Sequence, residues 1–317
     1  MHSQIKKMAG VREMMILLVV VLVFVIMCFA SPYFFSSSNL LAVLLSLSLE
    51  AIMAVGMVNL MVSGGFDMSV GSIVAFAGAI SAIMMKADIP IFFSVLGGIA
   101  AGALVGWFNG FAVARLGITP FVTTLASQQM CRGLVYVSMN GRNISGLPDK
   151  FAAIGQNKLF GVQMPIIYMI IIVIIGDILL RKSHFFRQNY YIGGNFKAAK
   201  LSGINAERMT IFNYIIMGVL ASVAGIILTS RLGSASTTAG AGMELKVITA
   251  VIIGGASMSG GEGTVVGAFL GCILMALISN AMTLLNVSIY WQTFVTGGVL
   301  MIAVLIDRYG RNKQEKK

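Results

Sequence analysis

The chain has 317 residues, of which 58% are hydrophobic and only 10% are charged, and its mean hydropathy is +0.92. Soluble domains carry about 25% charged and about 45–50% apolar residues, so this composition excludes an ordinary soluble domain. One membrane-spanning helix takes about 20 apolar residues. The apolar content therefore predicts an all-α integral membrane protein of about ten transmembrane helices, some of them broken or half helices.

Ten apolar segments follow one another when the chain is scanned with a window of span length. The first ends near Pro32, so a cleaved signal peptide is one interpretation, but its length and that proline favour an uncleaved helix. Segment 246–258 is too short to cross alone and is a candidate half-helix, which is tolerated where it lines a cavity. The longest external connection, 139–161, is a natural contact for an external partner. The segments are 14–30, 41–62, 67–85, 91–114, 118–138, 162–180, 209–229, 246–258, 264–284 and 290–306.

The net charge of +11 is compatible with a nucleic-acid surface, but the positions of the charges exclude that class. Ten spans with a cytoplasmic N-terminus place 15 of the 22 Lys and Arg residues inside, which is the usual positive-inside bias. We therefore expect both termini in the cytoplasm, contact with membrane lipid and no nucleic acid. The predicted parts are a cytoplasmic N-terminus (1–13), a transmembrane domain (14–306) with a cytoplasmic segment (181–208) inside it, and a basic cytoplasmic tail (307–317).

The sequence offers no material for an enzyme active site or a metal centre. Its two histidines, His2 and His184, have no second ligand nearby, and no GxxxxGK[ST] phosphate loop occurs. The three cysteines lie far apart in apolar stretches and are interpreted as small core hydrophobes. We expect no catalytic residue, metal ligand or bound cofactor on this chain, so any ATP would be used by another polypeptide.

A glycine-rich octamer has a near copy far along the chain. GGFDMSVG at 64–71 recurs as GGASMSGG at 254–261, with five of eight residues identical. Chance or a shared packing demand explains such a match, but paired glycine-interrupted segments also mark transport pathways. Asp67 has two interpretations, as a residue that starts a helix or as a contact for a solute. The candidate helix-break residues are Gly64, Gly65, Asp67, Ser69, Gly71, Gly254, Gly255, Ser259 and Gly261.

Glycine recurs at every fourth position in two segments. Such stripes let helix backbones approach closely, either inside one bundle or between subunits. The stripes are Gly98, Gly102, Gly106 and Gly110, then Gly263, Gly267 and Gly271.

Segment 118–138 carries several polar side chains, which are costly in lipid and normally face a cavity or pair with one another. Pathway lining and hydrogen bonding between helices are both open for them. Glu244 and Lys246 are interpreted as lying at the external interface. The candidate pathway residues are Thr123, Thr124, Gln128, Gln129 and Arg132.

The cytoplasmic segment RQNYYIGGNFKAAKLSGINA at 187–206 predicts a short helix. Asn195 can cap a helix over 196–202, and Gly203 can end it in the left-handed conformation. A helix this short is marginal in water, so we expect a contact to order it. Two contacts fit its apolar and basic residues: the groove of a partner protein or anionic lipid.

Four motifs resemble those of the membrane subunit of ribose-type ABC importers, a branch of bacterial permeases that serves monosaccharides and the autoinducer-2 signal. They stand in the family's order and cover nearly the whole chain. The motifs are GGFDMSVG at 64–71, TPFVTTLASQQMCRG at 119–133, YIGGNFKAAKLSGI at 191–204 and VIIGGASMSGGEGTVVGAFLG at 251–271.

The resemblance implies a bacterial inner-membrane location and three partners. These are a second permease chain in a homodimer or heterodimer, a tandem ATPase that holds ATP and Mg²⁺, and an extracytoplasmic sugar-binding protein. It also implies that 193–203 contacts the ATPase and that the two octamers are helix breaks near the pathway. The implied coupling residues are Gly193, Gly194, Asn195, Phe196, Lys197, Ala199, Lys200, Ser202 and Gly203.

Two departures from the family pattern bear on the solute or on pairing of permease chains. They are the stretch 126–129, Ala-Ser-Gln-Gln, and Lys246 where an Asp is common. The resemblance therefore does not extend to ribose itself. A stand-alone ion-coupled secondary transporter also fits ten spans and an internal repeat. An intramembrane enzyme is disfavoured because no carboxylate pair or His cluster stands at helical spacing.

Overall fold

The structure, a computed structural model, describes the backbone of residues 2–315 and the side chains of residues 13–309. Thirteen helices and four two-residue strands lie in the described chain, so the all-α prediction is confirmed. The helices are α1 (His2–Ala30), α2 (Ser37–Val62), α3 (Val70–Lys86), α4 (Ile91–Ala114), α5 (Pro120–Ser138), α6 (Asp149–Gln156), α7 (Met164–Lys182), α8 (His184–Gly194), α9 (Phe196–Leu201), α10 (Ala206–Leu232), α11 (Met243–Ile253), α12 (Val265–Leu284) and α13 (Ile289–Glu315). The strands are β1 (Ile144–Ser145), β2 (Lys158–Leu159), β3 (Val162–Gln163) and β4 (Ser234–Ala235), and β1 pairs antiparallel with β4 and β2 with β3.

Each of the ten predicted apolar segments contains a helix, but the helices differ in length. Within the described residues, seven are long and apolar enough to cross a membrane: α1, α2, α4, α7, α10, α12 and α13. Helix α3 is apolar but has only 17 residues, and α11 has 11. Helix α5 has 19 residues and carries the polar side chains of segment 118–138. Seven helices of the described chain therefore qualify as full spans by length and composition, and the count of about ten transmembrane helices stays a prediction.

Two helices were not predicted, because both lie outside the apolar segments. Helix α6 lies in the connection 139–161, where Pro148 precedes Asp149, the acidic residue of its first turn. Phe151 of α6 is fully buried in a cluster with Met85 and Ile226, so tertiary packing stabilises this short helix. Helix α8 precedes α9 in segment 181–208, and a hydropathy scan does not detect it because its composition is polar.

The chain folds as two compact units. The first unit comprises 1–64, 173–195 and 245–317. In it, α12 packs against α1 and α2, and α2 also contacts α8. An apolar cluster joins α1 to α12 and to the turn before α2, with Val20, Met27, Phe34, Leu274 and Leu277 at its centre.

The second unit comprises 65–172 and 196–244. Helix α10 packs along α3 and α4, α5 packs against the same two helices, and α6 rests on α10. An apolar cluster with Ala79, Val135 and Ala235 joins α3, α5 and β4.

The glycine stripe of α4 lies against its neighbours within the second unit. A Cβ atom at Gly98 would meet Ser81 of α3, and one at Gly102 would meet Ser222 of α10. At Gly106 a Cβ would meet the Tyr214 carbonyl oxygen. The stripe therefore serves close packing inside one bundle, the first of its two interpretations.

The prediction that all three cysteines are core residues is partly wrong. Cys131 and Cys272 are buried, but Cys28 is exposed. Cys28 lies on α1, of whose apolar window only 11% is buried, so most of this helix presents its side chains outward.

Replacing Gly106 by Ala should destabilise the protein, because the new methyl group meets backbone rather than a movable side chain. Overpacking of this kind costs about 1–3 kcal/mol. The measurement is the thermal unfolding midpoint of purified protein in detergent. Gly133→Ala is the matched control, since nothing lies within 4 Å of the added Cβ. Equal midpoints for the two variants would contradict the packing described.

Candidate functional site

The first glycine loop, residues 63–69, separates α2 from α3. Gly64 has a φ of +88°, a conformation that side-chain-bearing residues rarely adopt. The Asp67 carboxylate is fully buried, and its Oδ1 accepts hydrogen bonds from the N–H of Ser69 at 2.7 Å and from the Ser69 hydroxyl at 2.5 Å. Asp67 thus closes the turn that leads into α3, which agrees with a helix-starting role. Its contact with a solute stays a prediction.

A buried polar network ties this loop to three helices of the second unit. Asn109 of α4 donates to the Ser69 hydroxyl at 3.0 Å, and the Ser127 hydroxyl of α5 donates to Asn109 Oδ1 at 2.5 Å. Thr124 Oγ1 accepts from the N–H of residue 68 at 3.0 Å, and the Tyr214 hydroxyl donates to the carbonyl of residue 66 at 3.0 Å. Buried polar chains of this kind rigidify the structure that holds them.

Asn109 and Tyr214 were missed as site residues by sequence reasoning. A buried Asn inside an apolar span is itself a signal, because such a residue needs a partner in lipid. Asn109 stands in the otherwise apolar stretch of α4 next to Gly110. Tyr214 carries a weaker signal, since an aromatic residue in a span is ordinary.

Two further polar residues of α5, Gln128 and Arg132, are also engaged with protein. Gln128 donates to Glu244 Oε1 at 3.0 Å, and Glu244 is buried rather than lying at an exposed interface. Arg132 donates to the carbonyls of Thr237 and Ala239 at 2.9 Å each, and to the carbonyl of Gly71 at 3.3 Å.

Arg132 therefore holds the 233–242 connection against the start of α3. Thr123 is buried, whereas Gln129 is exposed on α5. Hydrogen bonding within the helix bundle accounts for Thr124, Gln128 and Arg132. A pathway role for the five candidates stays a prediction.

Segment 187–206 contains the predicted short helix. Helix α9 starts directly after Asn195, and Gly203 has a φ of +83°, the left-handed conformation expected of it. Ala199 is buried, while Phe196 is 51% and Leu201 is 90% exposed. The polar members Lys197 and Ser202 are exposed as well.

The orientation of α9 is supported by charges at the start of α10. Glu207 lies 3.8 Å from Lys200 Nζ and 3.2 Å from Arg115 Nε. Exposed ion pairs contribute little individually, but these two join α9 to the ends of α4 and α10. Beside them lies a groove of about 260 Å³, lined by Phe196, Lys200, Gly203, Ile204, Asn205, Ala206 and Glu207.

The second glycine loop, residues 254–264, lies between α11 and α12 and contacts the end of α8 within the first unit. A Cβ atom at Gly260 would lie 2.7 Å from Gly193 Cα, and one at Gly261 would lie 3.1 Å from Gly194 Cα. Gly260 and Gly261 also have φ values of +87° and +81°. Backbone therefore rests directly on backbone here, and only glycine fits both the spacing and the conformation.

Three hydrogen bonds fasten this loop. The N–H of Gly261 donates to the carbonyl of Val62, at the end of α2, at 2.8 Å. The Tyr190 hydroxyl of α8 donates to the carbonyl of Gly263 at 2.7 Å, and burial raises the pKa of Tyr190 to about 12, so the donor keeps its proton. The Thr264 hydroxyl donates to Glu13 of α1 at 2.6 Å.

Lys246 stands opposite a buried acid in the first unit. Its Nζ lies 4.0 Å from Glu50 Oε1 of α2, and Glu50 is only 3% exposed. The positive charge at this position, a departure from the family pattern, is thus balanced inside the chain.

Comparison with known proteins decides the family. A family model described as the permease component of the branched-chain amino acid transport system matches residues 39–305. The chain belongs to this permease family. This match, together with the ribose import permeases reported next, confirms the resemblance indicated by the four motifs.

Several permeases are similar over most of their length. The ribose import permease protein RbsC of Haemophilus influenzae is 38% identical over 283 residues, with 88% of each chain covered. RbsC of Bacillus subtilis is 38% identical over 280 residues, covering 88% of this chain and 87% of the relative. The L-arabinose transport system permease protein AraH of Escherichia coli is 36% identical over 286 residues, covering 90% and 86%. No solved structure matches the chain.

Family membership and the seven apolar spans make the chain a multi-pass membrane protein. As a permease component it is a transport subunit and not an enzyme.

Replacing Asn109 by Leu should destabilise the second unit. The variant leaves the buried Ser127 hydroxyl without its acceptor, and an unsatisfied buried group costs about 1–3 kcal/mol. It also removes one of the two hydrogen bonds of the Ser69 hydroxyl, which still donates to Asp67. The thermal unfolding midpoint in detergent is the measurement. Gln129→Leu, an exposed amide on α5, is the control and should keep the wild-type midpoint. If Asn109→Leu unfolds no earlier than the control, the network does not stabilise this unit.

Proposed function

We propose that this chain is the permease subunit of an ATP-driven, binding-protein-dependent importer for a monosaccharide or a related small sugar-like solute. The observation that carries the proposal is its likeness, over 88% of its length, to permeases named for ribose import. The relatives named for L-arabinose place a second pentose in the same group. The proposed solute class is therefore the small sugars rather than ribose alone.

The proposed topology has about ten transmembrane helices, some of them broken or half helices, with both termini in the cytoplasm of a bacterial inner membrane. Helices α3, α5 and α11 would be added to the seven full spans, and α11 is the candidate half-helix. The proposed parts are those predicted from the sequence, with the side chains of 1–12 and 310–317 outside the described residues.

The proposed assembly contains two permease chains, a tandem ATPase and an extracytoplasmic sugar-binding protein. ATP and Mg²⁺ would be held by the ATPase. Closure of the ATPase would displace residues 193–203 as a rigid lever and switch the bundle between outward and inward access. Affinity for the sugar would lie mainly in the binding protein.

The surface of α9 supports a protein partner for this segment. Phe196 and Leu201 expose large apolar side chains beside a groove, an arrangement suited to helix-in-groove docking. Lys200 faces Glu207 at 3.8 Å, so part of the basic charge that would favour anionic lipid is balanced within the chain. We therefore place the ATPase, rather than lipid, against α9.

The pathway would be weakly polar, because most candidate polar residues are engaged with protein. Gln129 is the candidate whose amide is exposed, and we propose that it faces the pathway on α5. The helix-break residues of both glycine loops would lie near that pathway.

Phe196→Asp should weaken ATPase binding, because a charge replaces the exposed apolar contact of α9. The measurement is the amount of ATPase that co-purifies with the permease in detergent. Phe160→Asp is the control, since Phe160 is 97% exposed but lies in the predicted external hairpin. Equal recovery of ATPase with both variants would contradict the docking site.

The function is tested by reconstitution into liposomes. With the ATPase, the binding protein and internal ATP, we expect uptake of at least one sugar from a panel that includes ribose and arabinose. The permease alone should show no uptake driven by an ion gradient. Gradient-driven flux by the lone chain would overturn the proposal and favour a secondary transporter.

A further inference from the structure

Asp307 joins α13 to the second glycine loop within the first unit. Its Oδ2 accepts a hydrogen bond from the Ser257 hydroxyl at 3.1 Å and lies 3.4 Å from the N–H of Met258. Ser257 is buried, and its own N–H donates to the carbonyl of Glu262 at 3.1 Å, which closes the loop on itself. Hydrogen bonds to a carboxylate are stronger than those between neutral groups. Asp307 therefore fixes the middle of the loop.

The composition of the loop makes its backbone flexible. Five of its eleven residues are glycine, which restricts the backbone dihedral angles less than any other residue does. If the loop were not held, its backbone would rearrange when Gly193 and Gly194 are displaced, and the displacement would not be passed to the helices that the loop contacts. Bonds to α2, α8 and α1 hold its second half, at Gly261, Gly263 and Thr264. Asp307 holds its first half.

The contact of Asp307 with Ser257 links helix α13 to the second glycine loop. Only 11% of its apolar window is buried, so little of its length is held by packing in the described chain. The Asp307 bonds connect it to the loop on which Gly193 and Gly194 rest. Movement of Gly193 and Gly194, the start of the proposed coupling segment (193–203), can thereby reach a helix long enough to span the membrane.

We infer that Asp307 is a positioning residue for energy coupling. It holds the second glycine loop in contact with Gly193 and Gly194, so that a displacement of these two residues is passed to α2, α12 and α13. This inference rests on the proposed importer function. It adds a residue outside the four sequence motifs and a route from the cytoplasmic segment into the bundle.

The test compares four variants in the complete importer reconstituted with ATPase and binding protein. Asp307→Ala and Ser257→Ala remove the same hydrogen bond from its two sides. Asp307→Asn keeps an acceptor oxygen, and Arg308→Ala changes the exposed neighbour on the same helix. The quantities measured are co-purified ATPase, ATP hydrolysis, and uptake of the sugar that the wild type transports best in the panel.

Asp307→Ala and Ser257→Ala should retain the ATPase and its hydrolysis but take up about five- to tenfold less sugar per ATP, the scale of loss for a coupling contact. Asp307→Asn should recover most of that ratio, and Arg308→Ala should match the wild type. A wild-type ratio in both hydrogen-bond variants would overturn the inference. Loss of assembly in both, without rescue by Asn, would also overturn it by showing a purely structural role. A wild-type importer without ATP-dependent uptake would contradict the proposed function itself, before any variant is compared.

Discussion

Hydrogen bonding of the backbone where helices break is the constraint on which this structure depends. Lipid supplies no partner for a backbone N–H or C=O, so an irregular segment at membrane depth must find its partners within the protein. The two glycine loops meet this demand in different ways. The first is held by side chains, chiefly Asp67, Thr124 and Tyr214. The second is held by direct approach of backbone to backbone at Gly193 and Gly260, and by bonds to the helix ends around it.

Because the two loops are held differently, we assign them different roles in the two units. In the second unit, Thr124 of α5 bonds to the first glycine loop, Gln128 to Glu244, and Arg132 to the 233–242 connection. Few remain to select a solute, which is why we assign affinity to an external binding protein. In the first unit, the second glycine loop contacts the end of α8. Only Asn195 separates that end from the start of α9 in the sequence. We therefore propose that this loop receives movement from the end of α8 and does not bind sugar.

The sequence predicted the helical class, the ten apolar segments and the short helix at 196–202, because hydropathy and capping are local signals. It also marked Gly64 and Gly261, whose positive φ values explain why glycine stands there. It marked the segment of α11 as too short to cross alone, but it did not mark that of α3, whose helix has only 17 residues. The sequence could not predict the hydrogen-bond partners of Asn109 and Asp307. Each bonds to residues at least 18 positions away in the chain, and only tertiary packing brings such groups together.

The central claim is that Gly193 and Gly194, at the end of α8, move together with the second glycine loop and α13. The distance between nitroxide spin labels at Tyr191→Cys of α8 and Arg308→Cys of α13 tests it most directly, in a chain whose Cys28, Cys131 and Cys272 are replaced. Both positions are exposed and lie in the first unit, one on each side of the loop. We predict that the mean distance between the labels is the same in the reconstituted importer with and without ATP. A mean distance that changes with ATP would show that the loop does not hold the two helices together and would contradict this account.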